Sequence, residues 1–372
     1  MNLSYWEQQS WFSNLQFTIV GSGIVGLSCA LQLKKLYPKA NILILERGRL
    51  PQGASTKNAG FACFGSLSEI LSDLKSHSPE EVLELVKQRY DGLKLLRETL
   101  GDKTIEFKNL GGYELFTEQD SYFYKECIAQ RETINTLLKP IFNTEVFQLK
   151  TNPFQFKNIQ DQLVFNPFEG QIHTGKMMEA LLRKVQSKGI KILNSTSVST
   201  FEEYGNYVEV KTDELVFKTS KLIIATNGFA SQLIQAQVKP ARAQVIITKP
   251  IKNLHIKGTF HLDRGYYYFR NIDNRILLGG GRQLDFKTEE TTEFGTTSKV
   301  QKALRDLLKE VVLPNTPHDI EYSWSGIMGV GQQKKSIVKQ ISNNVFCGVR
   351  LGGMGVAIGS IIGKSLAEIV KN

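Results

Sequence analysis

Cysteine is scarce and scattered. The four cysteines among the 372 residues, Cys29, Cys63, Cys127 and Cys347, form no C-x-x-C pair. That excludes a disulfide scaffold and implies reduced thiols in a cytoplasmic protein. The histidines His77, His173, His255, His261 and His318 make no H-x-H or H-E-x-x-H spacing, so no metal is expected. No apolar run approaches the roughly 20 residues that span a bilayer, and no membrane span is expected. The first basic residue is Lys34, so the basic n-region of a secretory signal is missing and a cytoplasmic location is expected. Dense basic clusters are missing too. The formal charge is +10, but Lys and Arg are interleaved with acids, and groups such as Lys334-Lys335 are small. A solvated basic surface is expected, not a nucleic-acid footprint.

What is present begins at Phe17. Phe17-Thr18-Ile19-Val20 is a short β-branched run that stops at Gly21-Ser22-Gly23-Ile24-Val25-Gly26, a G-x-G-x-x-G. A helical pattern runs from Ile24 to about Leu36, and a second strand, Asn41 to Leu45, ends on Glu46. Gly21 allows the turn out of the strand, Gly23 lets a pyrophosphate approach the backbone, and Gly26 lets the helix lie close on the sheet. The helix N-terminus offers free N–H groups and a positive dipole end to phosphates. Glu46, 20 residues past Gly26, stands where an acid accepts hydrogen bonds from a ribose, and its charge disfavours the 2′-phosphate of NADP. FAD and NAD both remain open on these residues.

Upstream, residues 1–16 carry Tyr5, Trp6, Trp11 and Phe12 among polar residues, which predicts a short helix or arm on the first strand. Arg47-Gly48-Arg49 and a small-residue stretch, Gly53-Ala54-Ser55-Thr56-Lys57-Asn58-Ala59-Gly60-Phe61, follow Glu46. Its hydroxyls and close backbone suit phosphate and ring contacts. Ser78-Pro79-Glu80-Glu81 opens a helix with a capping box and Pro at N1. Thr104 to Phe116 reads as a strand pair turned at Gly111-Gly112, and a helix from about Asp120 to Leu138 should stop before Pro140. Gly175 to Ser187 is a helix ended by Gly189. Lys221 to Ala225 is a buried strand running into Thr226-Asn227-Gly228. From Ala243 to Leu278 the pattern is β, with a hairpin turn at Asn271 to Asn274. Ile320 to Trp324 is a strand followed by the glycine-rich Gly326 to Gly331. Val345 to Cys347 is another, leading through Gly352, Gly353 and Gly355 into a helix from Ser360 to Val370. A second glycine-rich loop feeding a helix N-terminus makes a second anion site. The dinucleotide elements therefore fall in three segments, 1–75, 165–230 and 325–372, around a second domain of 76–164 and 231–324. Simple NAD domains are contiguous, so this interleaving favours FAD.

On those residues the chain resembles the D-amino-acid oxidase superfamily of flavoproteins, which includes glycine oxidase, sarcosine oxidase and γ-glutamylputrescine oxidase. The likeness rests on Gly21 to Gly26 with Glu46, on Gly53 to Gly60, on Ile223 to Gly228 and on Gly352-Gly353-Met354-Gly355-Val356. It implies an α/β fold: a Rossmann-like FAD-binding domain of the glutathione-reductase-2 type, with an interleaved α+β substrate domain built on an antiparallel sheet. Carried over by position, Gly21, Ser22, Gly23, Ile24, Val25, Gly26, Glu46 and Arg47 would bind the ADP part. Ser55, Asn58, Ala59, Gly60 and Phe61 would line the pyrophosphate and flavin, with Val198 on the adenine side and Ala225, Thr226 and Asn227 at the turn. Gly352 to Val356 would face the flavin pyrimidine ring, where a helix N-terminus can stabilise negative charge.

Two departures from that pattern matter. Glycine oxidase-like enzymes place a carboxylate-gripping Arg after a Gly-Ile or Gly-Leu pair, but here Gly326-Ile327 is followed by Met328. Sarcosine oxidase-like enzymes attach flavin to a Cys in this region, and none stands there, so FAD is expected to be non-covalent. In Tyr266-Tyr267-Tyr268-Phe269, Tyr266 and Tyr268 share one strand face, and Tyr266 matches a substrate-facing Tyr of glycine oxidase-like enzymes. Arg242 and Arg282 are candidate anion grips. The expected reaction is oxidation of a C–N bond of an amine or substituted amino acid, with O2 or another carrier as electron acceptor. Tyr266, Tyr268, Arg282 and Met328 would orient the substrate, and no obligatory protein base is required. Three alternatives share the fold: an FAD-dependent 2-hydroxyacid dehydrogenase, a tRNA-modifying flavoprotein, and a non-catalytic FAD binder.

Overall fold

A computed structural model describes residues 2–371. Two sheets organise it. The first has six strands in the order Ile337–Ser342, Val345–Val349, Lys221–Ile224, Leu15–Val20, Asn41–Leu45 and Lys191–Leu193. All neighbours run parallel except Ile337–Ser342, which is antiparallel to Val345–Val349. The four central strands are apolar on both faces because both faces are covered. The helices Ile24–Leu36 and Gly355–Lys371 bury one side with Ile19, Leu27, Ile44, Ile223 and Ile358, and Val20, Leu43 and Ile224 bury the other. Glycines set how closely the C-terminal helix packs. A Cβ on Gly359 would stand 2.6 Å from Ile24, and one on Gly363 2.6 Å from the Val25 carbonyl.

The second sheet has eight strands in the order Ile320–Val330, Lys239–Thr248, Arg275–Gly280, Tyr267–Ile272, Thr259–Leu262, Gly112–Glu114, Gln162–Asn166 and Gln148–Thr151. It is antiparallel except where Thr259–Leu262 meets Gly112–Glu114. One face packs Phe260, Phe269, Ile276 and Leu278 against Val300 and Leu304 of the helix Ser298–Leu307. The other face is turned to the cavity described below. The hairpin between Ile272 and Arg275 turns on Asp273 and Asn274, both at positive φ (47° and 57°), as a two-residue type I′ turn requires.

Several elements differ from the sequence reading. Thr104 to Phe116 is not a strand pair. Only Gly112–Glu114 is a strand, and Gly111-Gly112 does not reverse the chain but feeds it between Thr259–Leu262 and Gln162–Asn166. Ile105 is fully buried instead among the helices of the first sheet. The helix Ser121–Phe142 runs through Pro140. Pro140 sits in its last turn, Leu138 and Phe142 keep their core contacts, and Asn143 at φ 56° caps the end through its N–H to the Lys139 carbonyl. Gly326 to Val330 is strand, not loop, because it pairs with Lys239–Ala243. It carries the second sheet past residue 325. The C-terminal helix starts at Gly355, so its N-terminus lies in the glycine-rich loop itself. The aromatic N-terminal stretch buries Phe12 against Phe217 of a three-stranded sheet, with rings 5.2 Å apart, while Tyr5 and Trp6 stay exposed. Among the described residues, no helix is long and apolar enough to cross a membrane.

Candidate active site

A cavity of about 670 Å3 runs between the two sheets, a size suited to a large organic ligand. One end opens on the turn between Leu15–Val20 and Ile24–Leu36. Gly21 has φ +108°, and a Cβ there would stand 2.8 Å from the Ala225 carbonyl. Gly23 caps the helix without a side chain, and the Ile24 N–H donates instead to Ser55 Oγ at 3.0 Å. A Cβ on Gly23 would meet that oxygen at 2.9 Å. Gly26 does not reach the cavity; its missing Cβ makes room for the Gly21 carbonyl, the close packing expected of the third glycine. Glu46 is buried. Its Oε2 accepts from Ser22 Oγ at 2.6 Å and its Oε1 from the Gly48 N–H at 3.0 Å. Arg47 lies over the Phe229 ring at 3.8 Å, and burial, eased by Glu46, lowers its pKa. Val198 lines this end beside Thr196 and Ser197.

At the other end, Gly352, Gly353, Met354, Gly355 and Val356 form the wall. A Cβ on Gly352 or Gly355 would meet nothing within 4 Å, so the cavity fills the space that side chains would take. Two asparagines brace this end. Asn227 Oδ1 accepts from the N–H groups of Arg350 (3.0 Å) and Leu351 (3.2 Å), tying the turn after Lys221–Ile224 to the C-terminal loop. Asn58 Oδ1 accepts from the Gly60 N–H at 2.8 Å and from Thr174 Oγ1 at 3.0 Å, and its Nδ2 donates to the Ser55 carbonyl at 2.8 Å. Both line the cavity; the Asn58 amide is engaged at both ends, whereas Asn227 commits its Oδ1. Arg270 Nη1 donates to the carbonyls of Ala59, Gly60 and Ile172, and Trp324 Nε1 to that of Lys57, stapling the second sheet over this stretch. Burial pulls the Arg270 pKa down to about 10, with Asp273 acting against it.

The sheet face above the cavity brings Tyr268 beside His261 in register, with Phe61 edge-on to both. Burial pushes the Tyr268 phenol up to about 12, so it is neutral. Tyr267 and Phe269 take the opposite face, in the core. Tyr266 lies just before its strand and also lines the cavity, with Met328 and Arg282. Arg282 stacks near Tyr266 (5.3 Å) and Phe286 (5.0 Å), and burial lowers its pKa. Arg242 does not reach the cavity. It is buried in an ion pair with Glu289 at 2.7 Å, so it is no free anion grip. The cavity residues that sequence reasoning missed include Cys63, Glu69, Arg89 and His261. His261 Nε2 meets Glu169 Oε1 at 2.5 Å. Burial acts against protonation, but the charge and hydrogen bond of Glu169, with Glu69 and Glu114 behind, raise the His261 pKa to about 9. His261 and these three carboxylates come from separate segments, so no local spacing could reveal them.

The model of the FAD-dependent oxidoreductase (DAO) family matches residues 16–369. The chain belongs to this family of FAD-dependent oxidoreductases. It is 22% identical over 367 residues to a probable oxidoreductase, OrdL, of Haemophilus influenzae, covering 95% of this chain and 82% of the relative. It is 21% identical over 350 residues to the L-2-hydroxyglutarate dehydrogenase of Escherichia coli K12, covering 87% and 75%. The fold is that of glycine oxidase from Geobacillus kaustophilus, with a TM-score of 0.76 at 19% identity, covering 96% of this chain and 94% of that one. The cavity fits the family's cofactor. The open helix N-terminus behind Gly23 and the acceptor Glu46 suit the ADP part, and the side-chain-free wall at Gly352 and Gly355 leaves room for a ring beside a second helix N-terminus.

Proposed function

We propose that this FAD-dependent oxidoreductase oxidises a C–N bond of an amine or substituted amino acid to an imine, which water then hydrolyses. FAD, when bound, supplies a two-electron acceptor for the substrate's α-hydrogen as hydride. The observation that carries this reading is the pairing of a polar sheet face, Tyr268 with His261, against the open wall of Gly352 to Gly355. In this reading FAD lies in the parts built from 1–75, 165–230 and 325–372, and the substrate under the part built from 76–164 and 231–324.

Tyr266 and Tyr268 bound the substrate's space, and the neutral Tyr268 hydroxyl can donate a hydrogen bond without bringing charge. His261, held protonated by Glu169, forms a buried ion pair of no net charge, and its ring, with the Tyr268 hydroxyl, gives the substrate a polar wall. Met328 adds an apolar surface where the resembling enzymes hold a carboxylate, and Arg282 guards the rim. Cys63 lines the cavity, but burial, with Glu169 and Glu69 nearby, raises its thiol pKa well above the ordinary value. It is a poor nucleophile, which supports non-covalent FAD. O2 or another carrier takes the electrons onward.

The visible spectrum of the purified protein tests the reading. Flavin absorbance that bleaches on anaerobic addition of amines or amino acids, with FAD released on denaturation, is the expected result. Bleaching by 2-hydroxyacids alone would transfer the protein to the class of its L-2-hydroxyglutarate dehydrogenase relative. Protein that takes up no flavin under any condition would refute both.

A further inference from the structure

Arg89 is a buried cation on the cavity wall. It lies on the helix Pro79–Leu100, is 4% exposed and lines the cavity. Nη1 donates to the Phe64 carbonyl at 2.8 Å. Nε has no partner, and neither Nη2 nor any other atom of the guanidinium is paired with a carboxylate among the described residues. Nε is closed off from the cavity as well as unpartnered, so Nη2 is the donor left for a carboxylate arriving from the cavity. Two acids stand in the same region around Cys63, but each is engaged elsewhere: Glu69 Oε2 accepts from the Ser66 N–H at 3.0 Å, and Glu169 is paired with His261. A guanidinium cannot shed its proton to escape burial. A buried charge without a counter-charge is costly, so this arrangement suits an anion that arrives with a ligand.

Other cations on the wall are placed differently: Arg47 lies over the Phe229 ring, and the buried Arg350 spends Nε and Nη2 on the Lys335 carbonyl and Nη1 on that of Gln237. Lys334 is paired with the buried Asp73 at 2.5 Å. Arg264 is exposed, paired with Asp263 at 3.1 Å and laid over Phe123 at 4.0 Å. Arg282 is half-buried between two aromatic rings. Arg89 is deeper than these and has the unused donors. Cys63, which feels its charge, stands 3.9 Å (Sγ to Sδ) from Met354, on the wall of the cavity opposite the sheet.

We propose that Arg89 is the anion site of the inner wall and takes the carboxylate of the substrate, so that the substrates are amino acids, primary or N-substituted, and not plain amines. This rests on the functional reading above and narrows it. The carboxylate grip that Met328 cannot provide is thereby supplied from a helix instead of the sheet.

The test uses benzoate, a carboxylate with no amine to oxidise, titrated into the FAD-loaded protein and followed by flavin absorbance, with benzamide as the neutral control. Benzoate is expected to perturb the wild-type flavin spectrum and benzamide not. Arg89→Met should weaken benzoate by at least about tenfold, and Arg89→Lys less. A second readout needs no flavin: benzoate should raise the Tm of the FAD-free wild type but not that of Arg89→Met. If Arg89→Met fails to fold, Arg89→Lys carries both comparisons. The proposal is overturned if benzoate has no effect on the wild type, if it binds Arg89→Met as tightly as wild type, or if Arg282→Met alone loses it. A changed flavin midpoint potential in Arg89→Met with intact benzoate binding also overturns it, because the guanidinium would then serve the cofactor. Protein that is bleached by amines but binds benzoate independently of Arg89 loses this inference and keeps the functional reading.

Discussion

Replacing His261 and Glu169 together by glutamine should change how stability depends on pH. Both are buried, at 5% and 1% exposure, and are joined at 2.5 Å. Burial opposes the proton on His261, but Glu169 outweighs it and the pKa rises from 6.5 to about 9. At about 1.36 kcal/mol per unit this is roughly 3 kcal/mol of stability. The sign follows from which state holds the proton more tightly. The folded state does, so the contribution is complete below about pH 6.5 and is lost as pH rises through about 9. Changing both residues avoids leaving either charge buried alone, which would add its own penalty. The assay is urea unfolding at saturating FAD, for wild type and the double variant, between about pH 6 and pH 9.5. The wild type's advantage should shrink by roughly 3 kcal/mol across that range. An advantage that stays constant, or grows with pH, would refute the charged pair.

Three further outcomes follow from the geometry. Gly355→Leu meets nothing within 4 Å whereas a Cβ at Gly359 would press on Ile24, so the first should keep its Tm and lose FAD affinity by at least about tenfold, and Gly359→Leu should lose Tm; FAD content and thermal melts separate them. Arg242→Met leaves Glu289 buried without its ionic partner and should cost about 3–5 kcal/mol in chemical denaturation, while the substrate KM stays within about twofold of wild type. Tyr268 is pushed to about 12 by burial, so the rate of flavin bleaching should show no inflection near pH 10 that Tyr268→Phe removes.

The glycine-rich turns and the helix ends behind them were legible in the sequence because their signals are local. Gly21 to Gly26, Glu46 and the glycines of 352–355 act through missing side chains and helix ends, and both can be read within a few residues of chain. The strands of the first sheet were legible for the same reason: a run such as Leu222-Ile223-Ile224 is buried on both faces wherever it lands. The errors came where distant partners decide. Gly111-Gly112 looks like a turn until Thr259–Leu262 and Gln162–Asn166 are seen to flank it. Gly326 to Val330 looks like a loop until Lys239–Ala243 pairs with it. Arg242 looked like a free cation because Glu289 is 47 residues away in sequence.

The same distinction explains why the substrate end could not be read. Glu69 and Arg89 sit on neighbouring helices, His261 on a strand and Glu169 in a connection, and they share one region of the cavity only after the second sheet closes over the first. A lone Arg on an amphipathic helix is by default a solvated residue. What changes that default for Arg89 is burial without a counter-charge, a property of the fold that no spacing encodes. The asparagines make the converse point. Asn58 and Asn227 lie where cofactor contacts are expected, yet their amide oxygens are spent on Gly60, Thr174, Arg350 and Leu351. These bonds hold two backbone walls of the cavity together. On the proposed reading the cofactor would meet largely backbone there, and the charged side chains, Arg89 and the His261–Glu169 pair, would act on what is placed against it.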